Sequence, residues 1–153
     1  MRLVLFVCVS NTCRSPICEY LLRSKLSELN LAEEYVVESR SLSEDYEPQG
    51  SPANEMGREV MQKEYGIDTS AHRSRLLSAQ DVQRAWMIVP VKRDLGAHLA
   101  DAFPSAIPKI RPLQADVADP WRQPYEVYAQ CAGRVVLLLQ ELLRDLEVAR
   151  TTV

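Results

Sequence analysis

At 153 residues, with 46% apolar and 25% charged side chains, the chain has the length and composition of a single globular domain, 1–153. A net charge of −3 gives no reason to expect nucleic acid or an acidic membrane as a partner, and no apolar run approaches the ~20 residues that span a bilayer. No signal-peptide pattern opens the chain, so the expected location is cytoplasmic; cysteines at 8, 13, 18 and 131, with only His72 and His98 beside them, make a poor secreted disulfide framework and a poor zinc set.

Residues 2–7, Arg-Leu-Val-Leu-Phe-Val, read as a strand buried on both faces, as in a parallel sheet. A helix is expected from Ser15, a favoured N-cap, with Pro16 at the first helical position and a stripe through Ile17, Cys18, Leu21, Leu22, Lys25, Leu26 and Leu29. Tyr35 to Ser39 reads as a second strand, and the polar, turn-rich stretch 41–53 as a surface loop. Helix is expected over 52–65, with shorter helices over 78–84 and 94–101, and strands over 86–91 and, briefly, 109–111. The last helix should run from about 124 to 150, where Tyr128, Cys131, Val135, Leu138, Leu139, Leu142 and Leu146 repeat at three and four. This alternation predicts an α/β three-layer sandwich: a four-stranded parallel sheet with helices on both faces and the site at the strand carboxyl ends.

The segment joining the first strand to the first helix is Cys8-Val9-Ser10-Asn11-Thr12-Cys13-Arg14-Ser15. It lies where unpaired backbone N–H groups and a helix dipole attract an anion, so Val9 through Ser15 are the candidate phosphate-binding loop. Arg14 can fork two N–H groups onto phosphoryl oxygens. The same positive field acts on Cys8, since thiols at helix N-termini beside arginine titrate at roughly 3.5–7.5 against about 8.5 when free. Ser15 is placed to donate its hydroxyl to the Cys8 sulfur. Asn11 suits a left-handed backbone in such a loop.

These residues resemble the signature of the low-molecular-weight protein tyrosine phosphatases, C-x5-R-S-P after the first strand with Asn at position 11 and a second cysteine at 13. Asp119-Pro120-Trp121 is similar to the family's late Asp-Pro-aromatic element, and Glu38-Ser39, Ser51-Pro52, Gly66-Ile67-Asp68 and His72 fall where members carry similar residues. The resemblance implies hydrolysis of phosphotyrosine on protein substrates through a phosphocysteine, with Cys8 as nucleophile, Arg14 holding the phosphoryl oxygens and Asp119 as general acid, ahead of Asp116. It implies no cofactor or metal, inorganic phosphate as product, and a monomer or weak dimer. It also implies that Tyr46 and Trp121 wall the cleft beside Thr12, that Ser39 and His72 pin Asn11, and that Cys13 can capture an oxidised Cys8 as a disulfide.

Three positions depart from the family pattern: Ser10 and Arg40 stand where glycine is usual, and Val89-Pro90-Val91-Lys92 replaces a strand ending in Met-Asp, removing a carboxylate that braces the loop. Glycine at the first of these relieves backbone strain, so a less well-formed loop is expected. Thr12 matches the related protein arginine phosphatases, which makes phosphoarginine the alternative substrate. A non-catalytic phosphate-binding or redox-sensing module is the reading from another class.

Overall fold

The computed structural model describes residues 1–151. Strand β1 (Arg2–Cys8) lies between β2 (Tyr35–Ser41) and β3 (Met87–Pro90), parallel to both. As the central strand it is buried on both faces, with Val4, Leu5, Phe6 and Val7 fully enclosed, which is what its unbroken apolar run requires. Helices α1 (Arg14–Glu28), α2 (Glu55–Tyr65) and α5 (Tyr125–Thr151) enclose one core with Val4, Phe6, Val37 and Val89; α3 (Ala79–Arg84), α4 (Arg93–Ala102) and a 3₁₀ segment (Pro104–Lys109) enclose another with Leu3, Leu5, Val7 and Ile88. The α/β three-layer arrangement is therefore present.

The expected fourth strand is not. Residues 109–111 make a single parallel bridge, Ile110 to Ile88, with the Arg111 N–H donating to the Ile88 carbonyl at 2.8 Å. Pro90 has no N–H for the next rung, and Pro108 and Pro112 bracket the segment, so three strands form a ladder and the fourth stops at one rung.

The expected Ser15 cap is also corrected: the N-cap is Cys13 and the first helical residue Arg14, two residues earlier than expected, and no side chain caps the helix. Ile17, Cys18, Leu21, Leu22 and Leu26 are buried as the stripe requires, whereas Leu29 terminates the helix and is exposed. Helix α2 starts at 55 rather than 52 because the Asn54 side chain accepts the Met56 N–H, and Gly66 ends it in the left-handed conformation. In α5, Tyr128, Cys131, Val135, Leu139, Leu142 and Leu146 are buried at the expected spacing.

Arg40 has a defined place. Its buried guanidinium pairs with both oxygens of Asp81, with Glu38 and with the Ser39 carbonyl, fastening β2 to α3. Asp81 also closes the capping box with Ser78. Burial opposes ionisation of Asp81, yet bonds from Arg40, the Ser78 N–H and Arg84 hold its carboxyl below the ordinary range. Asp81→Ala is expected to cost about 3–5 kcal/mol in urea unfolding at pH 7, because it leaves Arg40 buried with one carboxylate. The Asp81 contribution is complete above the unfolded aspartate pKa of about 3.9 and is lost as pH falls through the lower folded value, so the gap between wild type and variant should close in acid. A gap unchanged down to the acid transition would remove the assignment.

Candidate active site

Strand β1 delivers Cys8 to the carboxyl edge of the sheet, and the loop to α1 wraps its sulfur. Cys8 is 2% exposed; its Sγ accepts the Asn11 N–H at 3.2 Å and lies 2.9 Å from Ser15 Oγ. Asn11 adopts φ +60°, a left-handed conformation that short polar side chains tolerate and that turns its N–H inward to the sulfur. Ser10 is not among the residues with positive φ, so the side chain it carries in place of glycine brings none of the strain expected from sequence.

The orientation of the Asn11 amide fixes the protons around Cys8. The Arg75 backbone N–H can only donate, and it meets Asn11 Oδ1 at 3.0 Å. Asn11 Nδ2 therefore donates, at 2.8 Å, to both Ser15 Oγ and Ser39 Oγ. Ser15 is left with its own hydrogen for the Cys8 sulfur, and Ser39 donates its hydrogen to Glu19 Oε1 at 2.5 Å. His72 Nε2 donates to the Asn11 carbonyl at 2.7 Å, which makes Nε2 the protonated nitrogen. Burial, reinforced by Arg23, Arg73 and Arg40, pushes the His72 pKa down against the Asn11 hydrogen bond, so the ring is neutral and structural at pH 7.

Glu19 is a member of this network that sequence reasoning missed. Burial pushes its carboxyl up, against the Ser39 hydrogen bond and Arg23, whose Nη2 lies 2.5 Å from Oε2. The signal was the spacing Ser15, Glu19, Arg23, four residues apart on one face of α1.

Arg14 is 4% exposed and donates through Nη1 to the Val117 carbonyl at 3.1 Å, while Nη2 stands 3.7 Å from Asp119 Oδ2. Val117 is itself held by its N–H on the Val91 carbonyl at 2.9 Å. Main chain from the end of β3 thus orients the guanidinium without the carboxylate that the Pro90-Val91-Lys92 sequence lacks.

A cleft of about 280 Å³ opens over the sulfur. Cys8, Val9, Ser10, Thr12 and Cys13 line its base; Tyr46, Asp119 and Trp121 line its sides. The Tyr46 and Trp121 rings meet edge to face at 5.9 Å between centroids. Tyr46 is held there because the Leu42 and Ser43 N–H groups bond the Cys8 and Val9 carbonyls, tying its loop to the phosphate loop. Asp119 Oδ1 accepts the Trp121 N–H at 3.1 Å, an Asx turn that keeps Oδ2 facing Arg14. Asp116 is elsewhere, accepting the Arg93 N–H at the start of α4.

Cys13 is buried on the cleft base, 3.4 Å from the Tyr128 hydroxyl, and burial pushes its thiol up to about 11 despite the Tyr128 and Thr12 contacts. It is a neutral thiol at pH 7. Cys18 and Cys131 are core residues, and burial raises both thiols, Cys131 to about 12. All four cysteines are free. No cluster of His, Cys, Asp or Glu suited to a metal ion occurs among the described residues.

Residues 3–151 match the family described as low molecular weight phosphotyrosine protein phosphatase. The chain is 31% identical to a protein-arginine-phosphatase of Geobacillus stearothermophilus over 151 residues, covering 94% of this chain and 95% of the relative. Among solved structures, the low molecular weight protein tyrosine phosphatase from T. tengcongensis superposes with a TM-score of 0.87 at 32% identity, covering 95% of this chain and 99% of that one. Wzb of Vibrio vulnificus, solved in complex with benzylphosphonate, superposes with a TM-score of 0.84 at 26% identity, covering 94% and 98%.

Proposed function

We propose that this chain, which belongs to the low molecular weight phosphotyrosine protein phosphatase family, hydrolyses phosphotyrosine on protein substrates through a phosphocysteine formed on Cys8. The observation that carries the reading is the cleft itself: a buried sulfur given a backbone N–H and a serine hydroxyl, under an arginine and an aspartate, at the foot of two aromatic walls.

In the first step the Cys8 thiolate attacks phosphorus in line. Arg14 and the loop N–H groups of residues 9–15 take the equatorial oxygens, where charge grows in the transition state. Asp119 gives its proton to the leaving phenolate oxygen, and the S–P bond replaces the O–P bond. Water then attacks phosphorus with Asp119 as base, the Ser15 hydroxyl stabilises the departing thiolate, and inorganic phosphate leaves. Tyr46 and Trp121 bracket the phenyl ring.

Phosphoarginine is the second reading. Thr12 lines the cleft base with its hydroxyl 3.8 Å from the Cys13 sulfur, a polar group suited to a guanidinium, and the arginine phosphatase relative spans nearly the whole chain. The ratio of kcat/KM on matched phosphotyrosine and phosphoarginine peptides decides between them. Retained phosphate binding with no turnover of either would move the protein to the binding or sensing class.

Asp119 is tested by leaving-group dependence. Asp119→Ala is expected to slow hydrolysis of alkyl and unactivated aryl phosphates by roughly 10²–10⁴-fold, to cost much less with p-nitrophenyl phosphate, and to spare phosphate binding. A uniform loss over all leaving groups would assign the proton to another group.

A further inference from the structure

A second cleft, about 380 Å³, lies behind the phosphate loop, between α1, β2 and the segment 71–75. Cavities of roughly 300–1,000 Å³ suit small-molecule ligands. Four arginines (23, 40, 73 and 75) and two carboxylates (Glu19 and Glu38) line this one, a local reversal of sign in a chain whose net charge is −3. The carboxylates are spent on two of the arginines. Glu19 pairs with Arg23, and Glu38 pairs with Arg40, which Asp81 also holds.

The remaining positive charges have no anion. Arg73 donates only to the Ser70 and His72 carbonyls, and the Arg75 guanidinium makes no hydrogen bond or ion pair among the described residues. Both side chains are exposed and both line the cleft. Between them in sequence comes Ser74, and beside them stands His72, 6% exposed and lining the cleft; Nε2 is committed to the Asn11 carbonyl, and Nδ1 has no protein partner among the described residues.

We propose that this cleft is a second anion site, distinct from the catalytic cleft, in which Arg73, Arg75 and His72 Nδ1 hold a phosphoryl group, either inorganic phosphate or the phosphate of a small phosphorylated molecule. The cleft wall is the support of the catalytic loop. His72 Nε2 holds the Asn11 carbonyl, the Arg75 N–H holds the Asn11 amide oxygen, and the Asn11 N–H meets the Cys8 sulfur. Occupancy is therefore felt at the nucleophile. Binding also brings a proton from solvent to Nδ1. The groups facing the ring are Tyr20, Glu19 and Arg23 from α1, Arg40 from β2, and Arg73 and Arg75 from its own segment. Burial, reinforced by the arginine charges, holds the ring neutral, and a bound dianion offsets the arginine field and favours the protonated ring.

The test uses histidine ring NMR, for which the chain has only His72 and His98 to assign. With one equivalent of orthovanadate filling the catalytic loop, inorganic phosphate is titrated at pH 7. A saturable shift of the His72 resonances is expected, with His98 unmoved and the His72 pKa displaced upward. Arg73→Gln with Arg75→Gln, which keeps the backbone N–H of residue 75, should weaken that isotherm by about tenfold or more, while the His98 signals report an intact fold. A parallel titration with ribose 5-phosphate separates the sources: tighter binding than phosphate assigns a phosphorylated molecule, and weaker binding assigns the ion. His72 resonances that stay still in the wild type, or that move equally in the double variant, would overturn the site. Because the readout needs no turnover, its failure is independent of the catalytic assignment.

Discussion

Cys8→Ser is expected to lower kcat for p-nitrophenyl phosphate by roughly 10⁴–10⁶-fold, without added metal, while inorganic phosphate still binds. In the proposed mechanism a thiolate attacks phosphorus, and a serine hydroxyl gives up its proton far less readily than a thiol. The surroundings of Cys8 are built for a charged sulfur, with the Asn11 N–H at 3.2 Å and the Ser15 hydroxyl at 2.9 Å. Ser15 is free to donate because Asn11 Nδ2 already donates to it. The groups proposed to hold phosphate, Arg14 and the loop amides, are untouched by the substitution. Cys13 supplies the control, since it shares the cleft base and burial pushes its thiol up to about 11. Cys13→Ser should therefore lose far less activity, and its measurable effect should lie in recovery after peroxide, where the captured disulfide is no longer available. Equal losses in the two variants would mean that Cys8 has been assigned the wrong role.

Much of this site is legible in the chain because it is local. Strand, loop and helix are consecutive, so C-x5-R, the buried run before it and the stripe after it specify one geometry together. The candidate acid was legible through Asp119-Pro120-Trp121, although only the fold shows that Asp119 faces Arg14 while Asp116 accepts the Arg93 N–H at the start of α4. Ser15 was read both as a helix cap and as a donor to the Cys8 sulfur; the hydroxyl lies on the sulfur, whereas the cap position falls to Cys13. The fourth strand failed because strand propensity is judged within the segment, whereas a ladder needs a donor on its neighbour, and Pro90 has none. Glu19 and the Val117 carbonyl escaped for another reason. Glutamate on a helix reads as a solvated face, and a main-chain acceptor carries no residue-type signal at all. Arg40 looked like a departure near the loop, yet its charge is balanced by Glu38 on its own strand and by Asp81 of α3, which only the tertiary structure brings to it.

Arg14→Lys is expected to lower kcat by roughly 10²–10³-fold on good leaving groups and by somewhat more on poor ones. A lysine keeps the charge and loses the fork. In the structure Nη1 is spent on the Val117 carbonyl and Nη2 faces Asp119 at 3.7 Å, with the side chain buried. An ammonium on a flexible stem cannot hold that carbonyl and also present two parallel N–H groups to phosphoryl oxygens. Val117 is buried, so its carbonyl would be left without a partner, and a stability loss of about 1–3 kcal/mol should accompany the kinetic one. The pattern separates Arg14 from Asp119, whose loss should be felt only where the leaving group needs a proton. The two side chains are also neighbours, so Arg14→Lys with Asp119→Ala should fall short of the product of the single effects on poor leaving groups. Full multiplicativity would mean that Arg14 holds phosphate without positioning the acid. An Arg14→Lys enzyme within a few fold of wild type would mean that charge alone, without the planar fork, is what the loop needs.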